Sequence, residues 1–230
     1  MITKNKQKGF ALVLALVLLL AMSLMGGALI VIASSDHQGN NSSDEYQQTF
    51  YVAETALMQA QKSLVNKMIG PINSTDGFRD LEGRYIPRNG DSDGDGVLND
   101  PAPEQTPCFR SFRNLSRDND FRVVEHVKNQ SFFDLIQPVF DAGSFPRQAG
   151  VDTAEEIQRE REKLRRYTYE FFSVNSGNSI YKGAGMSLNK TSANTQRQGT
   201  AYKIYGCGMM GNAINPVILV PLETLVILSH

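Results

Sequence analysis

Hydrophobic positions along this chain change their spacing at a few definable points. Residues 10–33 form an uncharged run dominated by Leu, Val, Ala, Ile and Met, 24 residues long. As a helix such a run rises about 36 Å, enough to cross the roughly 30 Å hydrocarbon layer of a bilayer. Gly26-Gly27 falls late in it, where glycine allows close helix approach or local melting. After the polar residues 34–43, apolar positions return as Phe50, Ala53, Leu57, Ala60, Leu64 and Met68. Steps of three and four place them on one stripe of a helix. Gly70-Pro71 then stops it, because glycine suits a helix end and proline cannot continue one. The pattern predicts a helix over 10–69, apolar all round in 10–35 and amphipathic in 36–69, with the Ser/Asn-rich segment the place where it would bend.

From Gly77 onward turn residues separate short apolar segments. Tyr167-Thr168-Tyr169-Glu170-Phe171-Phe172-Ser173-Val174 is rich in aromatic and β-branched residues and reads as a strand. Residues 201–207 and 216–220 read as two more, and 222–228 as a fourth. Strands this close, without helices between them, pair antiparallel, so the fold class is α+β, with a β-rich domain over 70–230. Thr153-Ala154-Glu155-Glu156 is a capping box that opens a charged helix to about residue 166, with Glu155/Arg159 and Glu162/Arg166 four apart. Its alternating signs mark a solvated helix, not a nucleic-acid face. Residues 187–199 are polar and read as a loop.

Composition narrows the classes. Lys+Arg of 23 against Asp+Glu of 24 gives a net charge of −1, so no overall cationic field draws nucleic acid. Lys4, Lys6 and Lys8 precede the apolar run without an acid. By the positive-inside rule they hold the N-terminus in the cytoplasm and put everything after Asp36 on the far side. Cys108 and Cys207 stand about a hundred residues apart with no neighbouring Cys or His, which excludes CxxC redox chemistry and a cysteine zinc site. They can make one disulfide or stay as two buried thiols, and export to an oxidising space favours the disulfide. His37, His126 and His230 are scattered, and neither HExxH nor GxSxG occurs, so the chain reads as no enzyme.

The junction Lys8-Gly9-Phe10-Ala11-Leu12-Val13, basic residues then Gly then Phe abutting the apolar run, resembles the class III leader of type IV prepilins. The resemblance implies a leader over 1–9, cut after Gly9 on the cytoplasmic side by the prepilin peptidase, with methylation of the new N-terminal Phe10. Loss of three lysines would leave 20 basic residues against 24 acidic ones. Major pilins carry Glu at the fifth mature position, where this chain has Leu14. A carboxylate in hydrocarbon is costly unless paired, and a subunit entering the filament first has no neighbour to pair with. Its loss is similar to the X-type minor pilins of type IV pili and the K-type pseudopilins of type II secretion, both placed at or near the filament tip. Phe50-Tyr51-Val52-Ala53-Glu54-Thr55-Ala56-Leu57 resembles a stretch of X-type pilins, with Glu54 read as an exposed helix residue. Tyr202-Lys203-Ile204-Tyr205-Gly206-Cys207-Gly208 followed by a hydrophobic hairpin is similar to their last strands.

The likeness covers the two ends of the chain and little of 70–160. It implies a type IV pilin-like fold, a long helix packed on an antiparallel β-sheet head. It also implies a minor pilin that helps initiate or cap the pilus, associating through its N-terminal helix with other minor pilins and the major pilin. Such a protein sits in the inner membrane with its C-terminal domain in the periplasm, and at the pilus tip after assembly. The alternatives are a K-type pseudopilin, generally longer, and a bitopic membrane-anchored calcium-dependent binding protein.

Two constellations suggest chemistry. Gly206-Cys207-Gly208-Met209-Met210-Gly211 satisfies GxGxxG, but a dinucleotide fingerprint opens a helix and here another apparent strand follows; a hairpin or bulge suits these glycines. Asp91-Ser92-Asp93-Gly94-Asp95-Gly96-Val97-Leu98-Asn99-Asp100 has oxygen ligands at loop positions one, three and five, Gly at six, a carbonyl at seven and Asn at nine, the spacing of a calcium loop. It resembles EF-hand-like and thrombospondin-type-3 loops. Ala102 stands at position twelve, so Asp100 or Glu104 would complete the shell. Asp91, Asp93, Asp95, Val97, Asn99 and Asp100 are the candidate calcium ligands.

Overall fold

The computed structural model describes residues 7–91, 93–100, 102–113, 115, 121–141, 154–182 and 196–229. Residues 1–6 of the expected leader, Ser92, the Thr153 expected to open the capping box, and residues 187–195 of the expected loop lie outside the described residues. The chain divides into two compact units, Met1–Glu45 and Tyr46–His230.

Helix α1, Gln7–Ile69, is 63 residues long and belongs to both units. In the first, it is long and apolar enough to cross a membrane. Its large side chains from Val13 to Ile32 are all more than half exposed, so the described residues supply little cover for them. A Cβ added at Gly26 or Gly27 would meet nothing within 4 Å, and the helix runs through both.

In the second unit the last six turns of α1 lie on a four-stranded sheet of order β1-β2-β3-β4, antiparallel throughout. The strands are β1 Glu125–Ser131, β2 Tyr167–Lys182, β3 Gln196–Gly211 and β4 Pro216–Ser229. Short helices intervene: α2 Pro107–Ser111, α3 Phe132–Asp141 and α4 Ala154–Leu164. The long apolar helix and the antiparallel sheet make the α+β layout read from the sequence.

Several boundaries differ from the sequence reading. Residues 216–220 and 222–228, read as two strands of a terminal hairpin, are one strand, β4, whose hairpin partner is β3. Pro221 lacks an N–H, but β4 is an edge strand with only one ladder to keep, paired with Cys207 across it. Residues 196–199, read as loop, open β3; Gly199 takes part because a Cβ there would lie 2.6 Å from the Leu228 carbonyl oxygen. Strand β1 was not legible, since Glu125-His126-Val127-Lys128-Asn129-Gln130-Ser131 has no apolar alternation.

The buried face of α1 is also rotated from the expected stripe. Ala53, Ala60 and Leu64 are buried as expected, but Thr49, Val52 and Ala56 complete the face, while Phe50, Leu57 and Met68 flank it half-buried. The cause is in the sheet. A Cβ on Gly208 would sit 2.1 Å from the Thr49 carbonyl oxygen, and one on Gly206 would sit 3.2 Å from the Ala56 Cβ. Helix and strand approach almost backbone to backbone at Gly208, and at Gly206 the side chains of Leu57, at 3.0 Å from such a Cβ, and Ala56 both close on the strand. These glycines therefore serve helix-sheet contact, and Gly211, with φ +99, marks the register shift at the end of β3. At the other end Gly70 adopts φ +87, and a Cβ there would lie 1.9 Å from the Asp80 carbonyl oxygen, so the glycine stop is demanded twice over.

Candidate functional site

Gly9 and Phe10 both fall in the helical backbone at the start of α1. Leu14 is 51% exposed, and Glu54 is exposed on the helix surface.

Cys108 and Cys207 form a disulfide across 99 residues. It lies on the sheet face away from α1, where Phe109, Val123, Phe172 and Tyr205 pack around it. The five-residue helix α2 is positioned by Thr106, whose hydroxyl accepts from the Phe109 N–H at 3.1 Å, with Pro107 preorganising the first turn. The same hydroxyl donates to Glu170 Oε1, and His126 Nε2 lies 2.8 Å from that oxygen. Glu170 is 2% exposed. This buried carboxylate joins β1, β2 and α2 beside the disulfide, and a carboxylate without such partners would be costly there. The sequence reading passed over it, although a single acid on the inward-facing parity of an aromatic strand is the available signal.

The acidic turn brings together three of its six proposed ligands. Carboxylate oxygens of Asp91, Asp93 and Asp95 lie within 4.8 Å of one another, and Asp91 is 3% exposed. Each carboxylate bends the chain with one oxygen: Asp91 Oδ1 accepts from the Gly94 N–H at 2.8 Å, Asp93 Oδ1 from Asp95 at 3.2 Å, and Asp95 Oδ1 from Val97 at 2.7 Å. Gly94 and Gly96 both adopt φ +83, which a Cβ would strain. The donor set suits a hard cation, since two oxygens on one calcium stand at most about 5 Å apart. Val97, Asn99 and Asp100 follow the cluster: the Val97 carbonyl accepts from the Asn99 N–H at 3.0 Å, and the Asp100 N–H donates to the Gly90 carbonyl at 3.1 Å. Glu104 instead pairs with Lys128, whose hydrogen bond and charge hold its carboxyl below the usual range.

Tyr85 lies against the turn, and a Cβ on Gly94 would come within 2.7 Å of its ring. Burial, then the charges of Glu125, Asp91, Asp93 and Asp100, push its phenol up to about 12. The hydroxyl therefore remains a neutral donor beside concentrated negative charge.

The GxGxxG residues lie inside β3, so no helix N-terminus stands behind them for a pyrophosphate. Compared with known proteins, the chain matches no family model, no curated protein and no solved structure.

Proposed function

We propose that this chain is a non-enzymatic minor pilin of the X type, made with a class III leader and held in the inner membrane by the first part of α1. The observation that supports this most is α1 itself, one 63-residue helix whose large apolar side chains from Val13 to Ile32 are more than half exposed and whose second half is seated on an antiparallel sheet. A subunit built this way leaves the bilayer by exchanging lipid for the equivalent helices of its neighbours, the other minor pilins and the major pilin. The absence of a carboxylate at Leu14 lets it enter without an amine to pair with, which suits a place at or near the filament tip.

Processing tests the reading. Mass spectrometry of the protein from its native membrane should find a chain beginning at N-methyl-Phe10, and Gly9→Leu should leave the leader attached and stop filament assembly. An intact N-terminus in the wild type would overturn it. The acidic turn favours a second reading, a bitopic calcium-dependent binding protein, which would keep residues 1–9.

In either reading we assign calcium to the turn, held by the carboxylates of Asp91, Asp93 and Asp95 with Val97, Asn99 and Asp100 completing the oxygen shell. Calcium at a hundredfold excess over its Kd should stabilise the chain by about 2.7 kcal/mol. Differential scanning calorimetry should show higher melting in calcium than in chelator, and Asp93→Ala should erase the difference. Identical melting curves in the wild type would reduce the loop to an acidic turn.

A further inference from the structure

Beside its buried alanine face, α1 carries Gln59, Lys62, Ser63, Asn66 and Lys67, spaced as i, i+3, i+4, i+7 and i+8 on one helix surface. This polar stripe forms one wall of a cleft of about 530 Å³; Tyr85, Val127, Tyr169 and Phe171 line it opposite. The volume falls in the range of about 300 to 1,000 Å³ typical of small-ligand sites.

The polar groups are unequally committed. Lys67 Nζ lies 3.2 Å from Glu125 Oε2, and the Ser63 hydroxyl donates to the same oxygen at 2.6 Å. Asn66 accepts from Arg79 at 3.3 Å through its carbonyl oxygen, which leaves its amide hydrogens. Gln59 and Lys62 make no side-chain hydrogen bond or ion pair among the described residues. Glu125 is thus answered by Lys67, and Lys62 is the cation left over in the lining. Tyr169, its pKa raised by burial, remains a neutral hydroxyl.

An aromatic and aliphatic wall facing a wall of amides and one uncompensated ammonium suits a flat, two-sided ligand. A pyranose ring presents an apolar C–H face and a rim of hydroxyls, and a carboxylate on it would answer Lys62. We propose that this cleft binds a single sugar ring bearing a carboxylate, of the hexuronic acid class. The cleft shares no residue with the acidic turn's proposed ligands, although Tyr85 lies against both, and its occupancy does not depend on the filament reading.

The test uses the full chain in detergent micelles, with saturation-transfer NMR and titration against glucuronate and glucose. Glucuronate should bind about tenfold more tightly than glucose, the worth of one charge-assisted hydrogen bond of about 1.4 kcal/mol. Lys62→Ala, at an exposed position, should remove that preference without moving the melting temperature, and Gln59→Ala should weaken both sugars alike. Tighter binding of a glucuronate-containing tetrasaccharide than of the monomer would place the source on a polymer; the reverse would place it on a free sugar acid. No transfer to either sugar, equal binding of the two by the wild type, or a preference surviving Lys62→Ala would each overturn the proposal.

Discussion

Gly208→Val is expected to destabilise the second unit by about 3 kcal/mol or more, at the upper end of overpacking effects. The new Cβ would lie 2.1 Å from the Thr49 carbonyl oxygen and 2.7 Å from the Ala53 nitrogen. Both are backbone atoms of a helix, so no side chain can swing aside, and relief requires lifting α1 off β3. That would open the contact under Val52, Ala56 and Ala60, where the apolar cluster of the helix side is centred. Urea unfolding of the chain in micelles should show an earlier midpoint. Lys203→Val, exposed on the same strand, is the control and should stay within about 0.5 kcal/mol of the wild type. Equal midpoints for Gly208→Val and the control would refute the account of close helix-sheet approach.

Removing the disulfide by Cys108→Ser with Cys207→Ser is expected to cost about 4 to 5 kcal/mol, the chain-entropy figure for a loop of about a hundred residues. The loss also has a local side. Helix α2 has five residues, far below the length at which a helix persists alone, and without the bridge it depends on Thr106 and on Phe109 and Phe112 against Phe172. The variant should melt well below the wild type, and the wild type should resist alkylation until reduced. A double variant with an unchanged melting temperature would show that packing alone holds α2.

How much of this was legible in the chain depends on the range over which each feature is decided. The extent of α1 follows from near neighbours: an unbroken apolar run, a stripe at helical spacing, then glycine and proline at 70 and 71. The aromatic centre of β2 and the charged run of α4 are local in the same sense. The acidic turn is equally local, because Asp91, Asp93 and Asp95 each bond a backbone N–H two or three residues on. The pairing of the cysteines needed only their number and the export that the sequence predicts.

Contacts between distant segments decided the rest. Which face of α1 is buried depended on glycines about 150 residues downstream, because the helix backbone at Thr49 and Ala53 closes directly on Gly208, and Leu57 and Ala56 close on Gly206. Strand β1 exists through its ladder to β2, where Glu125, His126 and Val127 face Ser173, Phe172 and Phe171; alone it has no apolar pattern to make it a strand. Pro221 reads locally as a break, and the open edge of the sheet lets the strand run through it. Glu170 reads as a stray charge until His126 and Thr106, 44 and 64 residues away, close on one oxygen. Patterns at spacings of two to four residues reach the chain's own neighbours, whereas burial, edge position and the pairing of a buried charge are properties of segments that meet only when the chain has folded.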